Sequence, residues 1–83
     1  LSGVYPNPFR NSTNIEFELP QRTHVVLEVY SMIGERVVVI TDQSYDKGKH
    51  FIKWNAQKLK NGMYFLRLKA GEMVDTRRLI LMP

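Results

Sequence analysis

Thr13–Thr41 reads TNIEFELPQRTHVVLEVYSMIGERVVVIT, and the alternation of its apolar residues decides the fold. Ile15, Phe17 and Leu19 alternate with Asn14, Glu16 and Glu18, the period-two pattern of a strand with one buried face. Pro20 ends that strand because it has no N–H to give to a ladder. In His24–Tyr30, Val25, Leu27 and Val29 share one face, while His24, Val26, Glu28 and Tyr30 share the other. Ser31–Glu35 carries Gly34 and is of hairpin length. Arg36–Thr41 then returns with apolar residues at both parities, which fits either burial on both faces or a β-bulge.

The same grammar continues outward. Asp42–Lys49 (DQSYDKGK) reads as a polar loop, and His50–Asn55 as a strand with His50, Ile52 and Trp54 on one face. Ala56–Gly62 is a connection in which Leu59, the one large apolar residue, is expected to plug the core. Met63–Lys69 places Tyr64, Leu66 and Leu68 together, Ala70–Glu72 is a tight turn, and Met73–Met82 is the final strand. No 3.6-residue periodicity is sustained, so no helix is expected. Six strands joined by short connections predict an all-β, antiparallel β-sandwich, with the first residues available as a seventh strand. Connections this short leave no room for parallel crossovers.

Eighty-three residues suffice for one domain, with an entry segment over 1–12 and a sandwich over 13–82. The chain has no cysteine, which removes disulfides and thiolate metal centres as sources of stability. No apolar run approaches the roughly 18 residues that span a bilayer. The net charge of +4 favours anionic surroundings, but the basic residues are scattered along the sequence. The start at Leu1, without an initiator Met, is expected of a module cut from a larger exported chain whose export signal lies upstream.

Candidate chemistry is sparse. His24 and His50, with Ser31 and Ser44 available, are the material for a nucleophile–base pair, and no spacing gathers them. Asp42 and Asp46, four apart in a polar stretch, are the faint makings of a calcium loop, against the plainer reading of a solvated turn. Tyr45, Trp54, Tyr64 and Phe65 could form a sugar-binding platform, although Trp54 and Tyr64 share the phase of the core aliphatics. No RNP-like string supports nucleic-acid binding. No enzyme, metal or cofactor is expected.

The order of signals resembles a known family. YPNPF at Tyr5–Phe9 is followed by Ser12–Pro20, by Val25–Val37, by GKHFIKW at Gly48–Trp54, by LKNGMYFLRLKAG at Leu59–Gly71, and by the basic-apolar ending TRRLILM at Thr76–Met82. These segments span nearly the whole chain. They resemble the type A C-terminal sorting domain of the type IX secretion system, found on exported proteins of Bacteroidetes, and, less closely, the immunoglobulin-like domain of the flagellar hook-capping protein. The resemblance implies an immunoglobulin-like sandwich of six to seven strands. It also implies a non-catalytic sorting signal that takes an upstream cargo through an outer-membrane translocon to the cell surface or medium. A sorting peptidase then often removes the domain. What it further implies is that the last strand is the part read for export, here Arg77, Arg78, Leu79, Ile80 and Leu81, with Arg standing where Lys is common in the family. Unpaired edge strands could also bring two copies together. The other reading is a stalk or carbohydrate-binding module on a secreted enzyme.

Pro6, Asn7 and Pro8 form an entry hinge. Each proline fixes its own φ and drives the residue before it toward extended geometry. Tyr5 and Phe9 are placed to anchor that hinge on the sandwich.

Overall fold

A computed structural model describes residues 1–83 as seven strands: β1 (Gly3–Tyr5), β2 (Ser12–Leu19), β3 (Thr23–Tyr30), β4 (Arg36–Tyr45), β5 (Gly48–Asn55), β6 (Gly62–Ala70) and β7 (Met73–Leu81). They form a three-stranded sheet in the order β1-β2-β5 and a four-stranded sheet in the order β4-β3-β6-β7, antiparallel throughout. The expected sandwich is present, and the first residues do supply its seventh strand, with Val4 opposite Ile15.

The alternation read from the sequence is the alternation of burial. Ile15, Phe17 and Leu19 on β2 face Val25, Leu27 and Val29 on β3 and Leu66 and Leu68 on β6, all buried in one core. Leu79 and Leu81 of β7 and Phe9 of the entry segment close that core at one end. At the other end Tyr45 stands edge-on to Phe17 with ring centroids 5.3 Å apart, and His50 stacks on Phe17 at the same separation. Leu59 and Trp54 are half-buried and pack against the core from the β5–β6 side.

One open reading is decided and one expectation changes. The ambiguous β4 carries bulges: its register against β3 shifts between Leu27 and Glu28 and again between Val29 and Tyr30. The extra residues are Ile40 and Val37, so Val38 and Ile40 pack inward while Val37 and Val39 stay 40% and 39% exposed. The polar stretch Asp42–Lys49 is not a loop. β4 runs on through Tyr45 and pairs with β3 as far as Thr23, leaving Asp46 and Lys47 as the whole connection to β5. Polar residues fit there because one face of this edge strand is solvated, and Tyr45 supplies the buried contact that ends the strand. Gly34, at φ +84°, and Gly71, at φ +62°, make the two hairpin turns, β3–β4 and β6–β7, in a conformation that side chains rarely adopt.

Candidate recognition site at the last strand

The two stretches singled out from the sequence, Pro6–Pro8 and Arg77–Leu81, lie together. β7 ends its sheet, so every second residue turns its backbone N–H and C=O away from β6. At the C-terminal half of β7 the entry segment meets those groups. Asn7 Nδ2 donates to the Arg78 carbonyl at 2.6 Å, and Asn7 Oδ1 accepts from the Ile80 N–H at 3.0 Å. The Phe9 N–H donates to the Ile80 carbonyl at 3.0 Å, and the Phe9 carbonyl accepts from the Met82 N–H at 2.8 Å. Phe9 and Leu81 thereby form a parallel bridge.

The chemistry of Asn7 explains its place. A carboxamide offers a donor and an acceptor with the geometry of a peptide group, so this one side chain stands in for a neighbouring strand. The flanking prolines bring no backbone N–H that would need a partner; both X–Pro bonds are cis. The turn is tied to β2 as well, since Thr13 Oγ1 donates to the Pro6 carbonyl at 2.6 Å and Asn14 Nδ2 donates to the Tyr5 carbonyl at 3.3 Å. The Phe9 side chain is only 2% exposed and tilts against Trp54. Entry segment, β2 and β7 are one clamp.

That clamp divides the terminal residues by role. Leu79 and Leu81 are core, at 1% and 4% exposure. Arg77 and Arg78, adjacent on a strand, project to opposite faces. Arg77 turns toward the entry side, donating to the Leu1 carbonyl at 2.8 Å and pairing with Asp75 at 3.4 Å. Arg78 is exposed on the outer face of the four-stranded sheet, with half-buried Ile80 beside it.

The other sequence candidates disperse. His24 pairs with Asp42, whereas His50 faces the Asp46 carbonyl at 2.7 Å and Asp46 pairs with Arg22. Ser31 Oγ accepts from the Glu35 N–H in the β3–β4 turn, far in role from any base. The supposed calcium pair is thus split between two separate partners, and no cluster of three or more His, Asp or Glu gathers. The four aromatics share no surface: Tyr45 belongs to the core stack, Tyr64 donates its hydroxyl to the Lys60 carbonyl at 2.6 Å, and Phe65 lies on the opposite face from Tyr64. Beside Trp54 there is an open groove of about 500 Å³ between Val38 and Leu59.

The Asn7 carboxamide was not legible as a β7 ligand. Its one local signal was its place between two prolines, and the bond it makes spans 73 residues to Ile80. Asn7→Ala should cost about 1–2 kcal/mol, the net value of two hydrogen bonds. It should also speed amide exchange at Ile80 more than at Leu66. Unchanged exchange at Ile80 would show that the clamp is not held by this side chain.

A family model described as "Secretion system C-terminal sorting domain" matches residues 3–82. No curated protein and no solved structure matches the chain.

Proposed function

The chain belongs to the family of secretion-system C-terminal sorting domains, and from that premise we propose that the exposed side of β7, set by the entry clamp, is what the export machinery reads. The domain directs an upstream cargo across the outer membrane by the type IX secretion system, to the cell surface or the medium. Sorting signals of this family are not catalysts, and in this reading the domain itself performs no chemistry and needs no metal or cofactor. Its partners are the outer-membrane translocon, a sorting peptidase, and the cargo on the same polypeptide.

The observation that carries this reading is the division of labour along Arg77–Leu81. Leu79 and Leu81 hold the strand in the core, and the clamp fixes its backbone. Arg78 and Ile80 are left presented to solvent on a rigid strand. An address that must work on unrelated cargoes needs its information on one pre-organised element, because ordering a loose tail on contact would weaken binding. Arg78 offers a planar fork to a carboxylate, and Ile80 offers apolar contact beside it. Pro6 and Pro8 lie between β1 and β2 and stiffen the turn that sets Asn7 against β7.

The test uses substitutions that leave the core alone. With residues 1–83 fused behind a fluorescent protein and a signal peptide, the unaltered domain should bring fluorescence to the surface or medium of a type IX-competent host, and not of its translocon-null sibling. R78Q combined with I80T should melt within a few degrees of the parent, yet leave most of the reporter in the periplasm. Full export of that variant would remove β7's exposed side chains from the recognition element.

A further inference from the structure

The outer faces of the two sheets differ in a way that the role of β7 does not require. On the three-stranded sheet charges are balanced: Glu18 stands opposite Lys49, Glu16 opposite Phe51, and Lys53 opposite Asn14. On the β6–β7 half of the other sheet they are not. Phe65 pairs across to Arg78, Arg67 to Thr76 and Lys69 to Val74. Arg67, Lys69 and Arg78 therefore crowd one face, at the two-residue and diagonal spacings over which side chains still interact.

None of these three cations has a carboxylate in ion-pair range within the chain; Lys49 and Lys53 have none either, but Lys49 has Glu18 directly across from it. Glu28 lies opposite Arg67 in register, but it is 6% exposed and accepts from Arg36 Nη1 at 3.2 Å. Arg67 lies over the Tyr30 ring, its guanidinium carbon 5.7 Å from the centroid. Its Nε is buried with no hydrogen-bond partner. Clustered like charges cost stability; the unmatched Nε costs it too, but lies out of a partner's reach. A fold carries that cost where something outside the chain supplies the counter-charge.

We infer that the β6–β7 half of this outer face, built from Tyr30, Phe65, Arg67, Lys69, Arg78 and Ile80, docks an acidic protein surface. The charge asks for carboxylates. The half-buried rings and Ile80 between the cations ask for apolar side chains as well, and exposed Val74 extends the same strip. Arginine and aromatic side chains in alternation are the composition of a protein-binding patch, whereas a polysaccharide phosphate or a lipid headgroup would use the charge and leave the apolar area idle. The inference extends the reading of β7 from a strand to a sheet face and shares Arg78 and Ile80 with it, but it concerns binding by the isolated domain and is measured without export.

The probe is a random copolymer of glutamate and tyrosine, added to the isotope-labelled domain, with heparin and phosphatidylglycerol vesicles as alternative anions. The copolymer should shift amides of β3, β6 and β7 around Arg67, and leave those around Lys49 and Lys53 in place. Changing all three cations (R67Q, K69Q and R78Q) should raise its Kd at least about tenfold, while K49Q with K53Q changes it less than about twofold. If the triple variant fails to fold, K69Q with R78Q, both exposed, should still raise Kd about threefold or more. Shifts spread over both outer faces, indifference to these substitutions, or tighter binding of heparin or vesicles than of the copolymer would overturn the inference. Export without copolymer binding defeats it and leaves the sorting role intact; copolymer binding without export does the reverse.

Discussion

Removal of Arg77–Pro83 is expected to leave no folded domain. The cut takes away Leu79 and Leu81, both buried, and each buried leucine lost costs about 2–5 kcal/mol. It also strips β6 of its partner from Gly62 to Leu66 and removes every backbone group that Asn7 and Phe9 bond on β7. A small domain has roughly 5–15 kcal/mol in all, so the two leucines alone, at about 4–10 kcal/mol, consume much of it before the ladder is considered. Far-UV circular dichroism should show no cooperative melt, and the amide spectrum should collapse to the dispersion of an unfolded chain. A truncated domain that still melts cooperatively would mean that β7 is dispensable to the core. The result bears on function: loss of export on deleting the tail reports a lost fold as much as a lost address. Only substitutions at outward positions such as Arg78 and Ile80 separate the two.

Phe9→Ala should be the most costly single change in the entry segment. The ring is 2% exposed, contacts the tilted Trp54 ring at 6.1 Å between centroids, and sits where the parallel bridge to Leu81 joins the two ends of the chain. Truncating a buried phenylalanine costs about 3–5 kcal/mol, and in a chain of this size each kcal/mol lowers Tm by roughly 4–8 °C. The melting temperature should therefore fall by more than about 10 °C, with a red shift of Trp54 fluorescence as water reaches its inner side. Arg10→Ala, at the exposed neighbour, should change stability by no more than about 0.5 kcal/mol. Equal effects at the two positions would place the entry segment outside the cooperative unit.

How much was readable depended on the range of the interaction. β2, β3, β6 and the body of β5 were legible because each alternates cleanly, and a strand with one face in water must do so. β4 was not, because a bulge shifts the parity of every residue after it and two lie in this strand. Its polar end looked like a loop for a similar reason: Asp42, Gln43 and Ser44 say only that this stretch meets water, and an edge strand meets water too. For the proposed site, the resemblance pointed to the last strand. Its inner workings did not, since a string of five residues gives no sign that Leu79 and Leu81 are structural while Arg78 and Ile80 are presented.

The sequence by itself determined that this chain is all β, where most of its strands and turns fall, and to which family it belongs. Those follow from period-two burial, from backbone sterics at glycine and proline, and from the order of short motifs, all local properties. The tertiary structure alone decided that Asn7 closes on Arg78 and Ile80, that Arg77 and Arg78 part to opposite faces, and that Arg67, Lys69 and Arg78 share one. Such facts depend on which strands become neighbours and in what register, and that is settled by burying one common core between residues far apart in the chain.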